Sequence, residues 1–269
     1  MPKISPAIGP ASGVSARAAS AAELTCVWPV DQSVAAQATT MNAAIRLVRS
    51  APKKTSARLA PRSSCRSPDR GYPSPMRRVD GLDHLTSPAE GSVVTIGFFD
   101  GVHLGHRAVL DRTVARARER GLPSTAITFD RHPREVLTPG SEPRLLSTVE
   151  GKARLIAARG IDQLLVLPFT ADLAAWEPDR FVHDVLVTAL RARHVVVGAN
   201  FTFGHRARGD AASLVAAGPT NGFAAEAVDL VFLDGRRVSS SSVRDALAAG
   251  DLAWPERALD RRFAVEGTV

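Results

Sequence analysis

Cysteine, tyrosine and long apolar runs are scarce in this 269-residue chain. Its two cysteines, Cys26 and Cys65, and its single tyrosine, Tyr72, all precede Met76. The remainder therefore has neither a disulfide framework nor a thiolate zinc site, which is compatible with a cytoplasmic protein. No apolar stretch approaches the roughly 20 residues that a membrane-spanning helix needs, so the sequence predicts no membrane partner.

An excess of positive charge is also absent from most of the chain. The formal charge is +7, but residues 1–75 contain ten Lys or Arg and only three acidic residues. Residues 76–269 contain 24 basic and 24 acidic residues, so this part is neutral. A nucleic-acid-binding surface normally shows a basic excess, and we therefore expect no nucleic-acid partner.

The first 75 residues lack sustained hydrophobic periodicity and are rich in Ala, Ser, Pro and Arg. They cannot bury enough apolar surface to offset the entropy of ordering, so we expect them to be mostly disordered. We favour Met76 as the true translation start. An organelle transit peptide and a basic tail that binds a partner are the alternatives.

The most informative stretch is 93–110, which reads VVTIGFFDGVHLGHRAVL. Its first four residues form a short apolar run, typical of a strand buried on both faces of a parallel sheet. Asp100 and Gly101 supply turn chemistry. From Arg107 the apolar residues fall on one helical stripe until Gly121, which predicts a helix that follows the strand.

His103 and His106 lie at the start of this predicted helix. Unpaired N–H groups and the positive end of the helix dipole favour a phosphate there. Residues three apart share one helix face, and Gly105 between them lets a nucleotide approach the backbone. A chance pair of histidines at a helix cap is the alternative, but the strand and helix on either side are the context that a nucleotidyl-transfer motif requires.

Strand and helix patterns alternate along the rest of the chain. Alternation of this kind predicts parallel βαβ units, and hence a Rossmann-like, doubly wound α/β fold. The further strands are predicted at 124–129, 163–167, 194–197 and 225–233. The further helices are predicted at 149–159, 179–190, 210–217 and about 241–250.

Polar clusters follow three of these strands, at 98–106, 130–132 and 200–210. Ligands of doubly wound sheets bind beyond the carboxyl ends of the strands, so we expect the clusters to form one site. Asp130 and His132 are candidates to orient a magnesium-bound phosphate or a substrate hydroxyl, although an aspartate at a strand end often only caps the next turn.

The loop from Asn200 to Asp210 combines an amide, Phe201, Phe203 and basic residues. Such a set suits a flat polar ring, with the amide at its edge and a phenylalanine on its face. An ordinary surface loop whose phenylalanines fill the core is the alternative.

A serine run, 239–242, precedes the last predicted helix, with Arg237 before it and Arg244 one turn into it. Serine at an N-cap is a common structural device, so each serine has a purely structural interpretation. An arginine near a helix start on the same sheet edge as two histidines is suited to clamp phosphate oxygens.

From Met76 the chain resembles the N-terminal FMN adenylyltransferase module of the bacterial bifunctional riboflavin kinase/FAD synthetase family. The resemblance covers about 78–262 and implies a Rossmann-like sheet of the HxGH nucleotidyltransferase type. It rests on motifs that occur in the family's order: GFFDGVHLGH, TFDRHPREVL, LPFT with FVHDVLV, VVVGANFTFGHRARGD and RRVSSSSVRDALAAGD. We therefore expect a domain at 76–262, with 263–269 as the remnant of a first kinase strand.

This resemblance implies that ATP and FMN are the substrates, that FAD and pyrophosphate are the products, and that Mg²⁺ takes part. The chemistry is an in-line attack of the FMN phosphate on the α-phosphorus. The implied catalytic residues are His103, His106 and Arg244. The implied ATP-binding residues are Gly97, Phe98, Phe99, Asp100, Gly105, Arg237, Ser240 and Ser241. The implied flavin-binding residues are Asp130, His132, Asn200, Phe201, Phe203 and Arg206, with Asp130 also as a metal ligand.

Three features depart from the family pattern. Arg131 stands where the family usually has proline, and Ser241 where it usually has threonine. The chain also stops after residues that resemble the opening of the kinase module, so we expect no riboflavin kinase activity. A cytidylyltransferase of the same superfamily and a non-catalytic flavin-nucleotide binder are the alternative functions. The oligomeric state stays open.

Overall fold

A computed structural model of the chain describes residues 75–265. Six parallel strands form its main sheet, in the order β1–β4–β3–β2–β5–β8. Their bounds are β1 Arg77–Asp80, β2 Ser92–Ile96, β3 Ser124–Phe129, β4 Gln163–Leu167, β5 Ala192–Gly198 and β8 Ala224–Val228. Two short antiparallel hairpins accompany the sheet, formed by β6 Thr202–Phe203 with β7 Gly209–Asp210, and by β9 Phe232–Leu233 with β10 Arg236–Arg237. The fold is the predicted α/β, doubly wound parallel sheet.

Helices cover both faces of this sheet. They are α1 Leu104–Arg120, α2 Pro133–Leu137, α3 Val149–Ala157, α4 Ala171–Ala174, α5 Pro178–Phe181, α6 Ala211–Ala217, α7 Ser240–Ala248 and α8 Ala253–Leu259. The chain continues from α5 as a π-helix over Val182–Ala189. No helix among residues 75–265 has the length and apolar character to cross a membrane.

Side chains alternate between the two faces along each strand, and this alternation builds two cores. Ile127 and Leu165 face one side, where they pack with Val185 of the π-helix. Ala126 and Leu164 face the other side, towards α1 and α3. Central strands that are buried on both faces explain the unbroken apolar runs of the sequence.

Strand β2 is the point where the winding of the sheet reverses. Its neighbour on one side is β3, which leads to β4, and its neighbour on the other side is β5, which leads to β8. The carboxyl end of β2 therefore opens into a crevice between two diverging connections, where ligands of doubly wound sheets bind. The histidine motif follows this strand directly.

The predicted strands at 124–129 and 163–167 are confirmed, and the predicted strand at 225–233 is too long. The main-sheet strand ends at Val228, and the chain then enters the β9–β10 hairpin. Asp234 and Gly235 turn this hairpin with φ of 53° and 74°, as a tight Asp-Gly turn requires. The helix predicted at 179–190 is present, but most of it is π-helical.

Some predictions lie outside the described residues. These are the expected disorder of residues 1–75, of which the structure describes only Pro75, and the last four residues of the expected kinase remnant. Residues 263–265 are described without regular secondary structure. Seven helices and strands of the described part were not predicted, namely β1, β6, β7, β10, α2, α4 and α8.

Candidate active site

The turn between β2 and α1 is strongly bent. Phe99, Gly101 and Val102 have φ of 54°, 74° and 42°, all in the left-handed region. This conformation is unfavourable for a β-branched residue, and Val102 keeps it with a side chain that is 1% exposed. The packed side chain holds the strained turn in place, and the turn delivers His103 to the start of α1.

His103 and His106 stack against each other. Their ring centroids are 3.7 Å apart and their planes differ by 17°. His103 is the N-cap of α1, and its Nδ1 accepts a hydrogen bond of 3.3 Å from the backbone N–H of His106. A neutral His103 with Nδ1 as acceptor carries its proton on Nε2, which makes Nε2 a donor. The Nδ1 of His106 is buried and has no partner among the described residues.

Both imidazoles are neutral at pH 7. Burial lowers the pKa of His103 to about 4, although the nearby Asp100 carboxylate raises it and Arg244 lowers it further. Burial also lowers the pKa of His106 well below its usual value, and the charges of His103 and Lys152 add to this effect. The pair can therefore donate hydrogen bonds to an anion without carrying permanent charge.

Two glycines leave room for aromatic rings of the site, namely the imidazole of His103 and the phenyl ring of Phe99. A Cβ on Gly105 would lie 3.2 Å from the His103 ring, and a Cβ on Gly97 would lie 2.9 Å from the Phe99 ring. Gly105 is therefore needed by the histidine beside it, and not only by an approaching ligand. Its Cβ position is also 3.6 Å from the carbonyl oxygen of Val238, which places the start of α1 against the segment that begins α7.

A cavity of about 370 Å³ lies in front of the two imidazoles, and we call it the histidine cavity. One wall comes from the turn after β2 and the start of α1, and the opposite wall from the segment that precedes α7. Of the predicted site residues it contains Gly97, Phe98, Phe99, His103, Gly105, His106, Asn200, Phe201, Arg237, Ser240 and Ser241. The structure thus brings most of the predicted ATP-binding residues to one cavity.

The serines at the start of α7 have different roles. Ser239 caps the helix, since its side chain accepts the backbone N–H of Ser242 at 3.1 Å. The Ser240 hydroxyl donates to the carbonyl oxygen of Asp100 at 3.0 Å, which joins the start of α7 to the histidine turn. Ser241 and Arg237 are exposed on the cavity wall.

Asp100 and Arg244 do not line the histidine cavity. The carboxylate of Asp100, which is 2% exposed, accepts the backbone N–H groups of Leu146 and Ser147 at 2.9–3.0 Å. It also forms an ion pair of 2.8 Å with Arg244, whose Nε donates to the carbonyl oxygen of Arg144 at 2.7 Å. Both predicted residues lie behind the site and hold its wall.

A second cavity of about 480 Å³ lies on the other side of Phe201 and Thr202, and we call it the aromatic cavity. The two cavities share Phe201, Thr202 and Ile96. Phe201 stacks on Phe203 with centroids 5.5 Å apart and an interplanar angle of 12°. The predicted residues in this cavity are Phe201, Phe203 and Arg206, and unpredicted aromatic residues complete it: Phe129, Phe169, Trp176 and Phe181.

Asp130 and His132 line neither cavity. One carboxylate oxygen of Asp130 accepts the Phe169 N–H at 2.8 Å and the other binds Arg131. Burial raises the pKa of Asp130, but these hydrogen bonds outweigh it and leave the pKa below its usual value. His132 caps α2 and packs edge-on against Phe98, with centroids 4.9 Å apart.

The sequence analysis missed one buried charged residue near the site. Lys152 of α3 is 2% exposed, and its ammonium donates to the carbonyl oxygens of Phe98 and Phe129. A signal for it exists in the sequence, because Lys152 is the only lysine between residues 75 and 265. Trp176 was also missed, since a lone tryptophan between short helices has no local motif.

Comparison with known proteins gives one family. The sequence profile of the FAD synthetase family matches residues 85–242. A bifunctional riboflavin kinase/FMN adenylyltransferase from Pseudomonas fluorescens is 43% identical over 72% of this chain and 62% of that protein. The protein of the same description from Escherichia coli K12 is 37% identical over the same shares. The chain thus spans less than two thirds of the length of these relatives.

The fold of this chain is also similar to that of a solved structure. The crystal structure of a protein described as a macrolide-efflux protein from Streptococcus pneumoniae superposes with a TM-score of 0.60 at 24% identity. It covers 72% of this chain, and the match spans 65% of that chain. At this identity the likeness concerns the fold alone.

Proposed function

Because this chain belongs to the FAD synthetase family, we propose that it transfers the adenylyl group of ATP to FMN and releases pyrophosphate. One observation carries the proposal. The stacked imidazoles and the serine-rich start of α7 face the same cavity, and that cavity adjoins the aromatic cavity through Phe201 and Thr202. Two neighbouring compartments of different chemistry suit a phosphate-rich substrate and a flat aromatic one.

The histidine cavity takes the ATP phosphates. The N-termini of α1 and α7 both supply unpaired N–H groups and positive dipole ends, which favour anions. Nε2 of His103 and the ring of His106 donate to oxygens of the α-phosphate, and Arg237 and Ser241 hold the pyrophosphate end. An oxygen of the FMN phosphate attacks the α-phosphorus, the bond to the pyrophosphate oxygen breaks, and charge that builds on phosphorus is stabilised by these donors.

The aromatic cavity takes the isoalloxazine ring of FMN. Phe201 and Trp176 offer apolar faces for a flat ring, which is favourable in stacked or edge-to-face geometry. Asn200 is exposed and lines the histidine cavity next to Phe201, which both cavities share, so its amide is suited to bind the FMN phosphate there. Arg206 lies at the rim of the aromatic cavity and supplies positive charge there.

The remaining predicted residues act from behind the site. Asp100 fixes the histidine turn to the loop at Leu146 and Ser147, and Arg244 is held by the Asp100 carboxylate and by the carbonyl oxygen of Arg144. His132 supports Phe98 by its edge-on contact. We therefore propose that Asp100, Arg244 and His132 keep the ATP-binding wall in place.

Asp130 is the protein group that fits Mg²⁺ best in this proposal. Within residues 75–265 no group of three or more His, Cys, Asp or Glu side chains is arranged to hold a metal. Mg²⁺ often relies on one or two carboxylates together with substrate phosphates, and the lowered pKa keeps Asp130 ionised. Because Asp130 lines neither cavity and one of its oxygens binds Arg131, Mg²⁺ could be held there only if Arg131 released that oxygen; the ion would then supply positive charge towards the phosphates.

The test is FAD formation from FMN, ATP and Mg²⁺ by the full chain, followed by chromatography. We expect the parent to form FAD and His106→Ala to be at least ~100-fold slower, as for loss of a transition-state donor. His183→Ala is the matched control, because this imidazole is exposed and binds only its neighbour Asp184. Equal rates of parent and His106→Ala would contradict the role of His106.

Two further arms separate the alternatives. CTP with a phosphoalcohol tests for a cytidylyltransferase, and FMN binding without pyrophosphate release indicates a non-catalytic binder. The absence of riboflavin kinase activity and the cytoplasmic location stay predictions. The first is tested by incubating riboflavin with ATP and looking for FMN.

A further inference from the structure

Lys152 is the only lysine between residues 75 and 265, where the other permanently positive side chains are all arginines. The sequence has four lysines, and the other three lie at positions 3, 53 and 54. Lys152 belongs to α3, and its side chain is turned into the protein, where the residue is 2% exposed. Burying an ammonium group is costly unless its donors are satisfied, so such a group persists only where the structure holds it firmly.

Three oxygens satisfy this ammonium, and none of them belongs to a carboxylate. Nζ donates to the carbonyl oxygen of Phe98 at 3.0 Å, to the carbonyl oxygen of Phe129 at 3.2 Å and to Oγ1 of Thr128 at 3.2 Å. The Thr128 hydroxyl in turn donates to the Phe98 carbonyl oxygen at 3.0 Å. Nζ also lies 4.0 Å from the centroid of the Phe98 ring. One amine therefore closes a small network at the ends of β2 and β3.

The two carbonyl groups that accept hydrogen bonds from Lys152 belong to residues that line different cavities. Phe98 lines the histidine cavity and starts the turn that carries both histidines. Phe129 lines the aromatic cavity and ends β3 just before Asp130. Lys152 itself lines neither cavity, so it connects the two walls from inside the protein.

We propose that Lys152 is a positioning residue for adenylyl transfer, because it fixes the histidine cavity and the aromatic cavity at one separation and so aligns the two substrates. The inference rests on the proposed function. In-line displacement requires reacting atoms about 3–3.5 Å apart, and a misplacement of about 1 Å can cost ~100-fold in rate. A side chain that sets this separation acts on the rate of the chemical step more than on the binding of either substrate.

Arginine is a poor substitute at this position. The three acceptors converge on a single nitrogen, which an ammonium matches with three donors around one atom. The planar fork of a guanidinium spreads its donors instead. Burial lowers the pKa of Lys152 to about 8, with Asp100 and Asp130 opposing the effect, so the amine is mostly protonated at pH 7 and keeps its three donors.

The experiment compares the full-length parent with Lys152→Met and Lys152→Arg, at a temperature well below every thermal midpoint. For both variants we expect kcat for FAD formation to fall, at least ~100-fold for Lys152→Met, while the Kd values of FMN and ATP change by less than about fivefold. FMN binding is followed by flavin fluorescence and ATP binding by calorimetry. A purely structural role predicts instead that activity and both binding affinities fall together.

A second pair of variants tests the hydrogen-bond network without changing Lys152. Thr128→Val removes one hydroxyl of the network, and we expect it to lower kcat about tenfold with unchanged binding. Thr113→Val is its control, since this buried hydroxyl donates only to the Val109 carbonyl oxygen within α1. It should leave kcat unchanged. This pair decides the question if Lys152→Met does not fold.

The possible outcomes separate a failure of the proposed function from a failure of the proposal for Lys152. A parent that forms no FAD overturns the proposed function and this inference with it. An active parent with an equally active Lys152→Met overturns this inference alone. A loss of kcat that is matched by an equal loss of FMN or ATP affinity also overturns it, because the residue would then act on binding. A selective loss of kcat supports it.

Discussion

The guanidinium of Arg244 lies 2.8 Å from the carboxylate of Asp100, 144 residues earlier in the chain. This ion pair joins α7 to the turn that presents the two histidines. Asp100 also holds the backbone N–H groups of Leu146 and Ser147, so one buried carboxylate connects three segments of the chain. The arrangement predicts that this pair matters for stability as well as for the site.

Asp100→Ala should lower the free energy of unfolding by about 3 kcal/mol, because it leaves a guanidinium and two buried N–H groups without their acceptor. Chemical denaturation at pH 7 measures this. Asp245→Ala is the control, since Asp245 is exposed on the same helix as Arg244, and its effect should stay below about 0.5 kcal/mol. Similar stabilities of parent and Asp100→Ala would show that the ion pair is not required.

The sequence predicted the sheet well because its central strands are unbroken apolar runs. Such runs are unambiguous when they alternate with amphipathic helices, and the strand at 124–129 matches its predicted bounds. Edge and connecting elements were missed for a physical reason. Strand β1 is mostly exposed and α4 has four residues, so neither has enough apolar periodicity to be recognised.

The site was predicted in part. Residues next to a strand end, such as His103 and His106, were placed correctly at the start of α1 because local sequence determines that position. The direction of a buried polar side chain depends on contacts far along the chain. Asp100 was therefore predicted on the ATP-binding wall, but its carboxylate points to Leu146 and Arg244. Lys152 was missed for the same reason.

Burial of His103 predicts a loss of stability in mild acid. Its pKa is about 4 in the folded chain and about 6.5 when unfolded, so below pH 6.5 the unfolded state binds the extra proton. The stabilising contribution is complete above pH 6.5 and is lost as the pH falls towards 4. Between pH 8 and pH 5 the parent should lose about 2 kcal/mol more than His103→Asn.

Asparagine is the suitable replacement because it also caps helices. His132 and His194 have lowered pKa values too, and neither depends on His103, so their effect cancels in the comparison. The pKa of His106 is lowered mainly by burial, and the smaller part that comes from His103 is lost in the variant. Denaturation curves at several pH values give the result. Parallel pH profiles for the two proteins would mean that His103 is protonated as readily in the folded chain as in the unfolded one.

Gly105→Ala should separate stability from activity. Alanine favours a helix over glycine by up to about 1 kcal/mol, which offsets the cost of moving the buried His103 ring, so we expect the free energy of unfolding to change by less than about 1 kcal/mol. The new Cβ would lie 3.2 Å from the His103 ring and force that ring to shift. We expect kcat for FAD formation to fall about tenfold, because we propose that His103 is catalytic and small displacements of a catalytic group are costly. An unchanged kcat would indicate that the ring position is not critical.

Trp176→Ala should weaken the binding of FMN without affecting that of ATP. Loss of an aromatic wall costs about 1.4 kcal/mol, which corresponds to a tenfold higher KM for FMN. The KM for ATP should not change, because Trp176 lines only the aromatic cavity. Phe232→Ala is the control, since Phe232 is 60% exposed and lines neither cavity. A rise in both KM values would contradict the assignment of the aromatic cavity to the flavin.

Glu226 on the edge strand β8 should be important for stability and unimportant for catalysis. Its carboxylate accepts from Arg112 and Arg116 of α1 at 2.7–3.0 Å and contacts His194 at 3.1 Å. The hydrogen bonds from Arg116 lower the pKa of Glu226 most; burial opposes this, and Arg112 and His194 lower it further. The contribution is therefore present above about pH 4.5 and is lost in stronger acid.

Glu226→Gln should lower the free energy of unfolding by about 2 kcal/mol at pH 7, the cost of losing charged hydrogen bonds, and the difference from the parent should shrink below pH 4. Glu119→Gln is the matched control, because this exposed carboxylate pairs only with Arg116, and we expect little change in stability. The rate of FAD formation should stay within twofold of the parent in both variants. Equal stabilities of the two variants would mean that the Glu226 network adds no more than a surface ion pair, and α1 would then be held to the sheet by apolar packing alone.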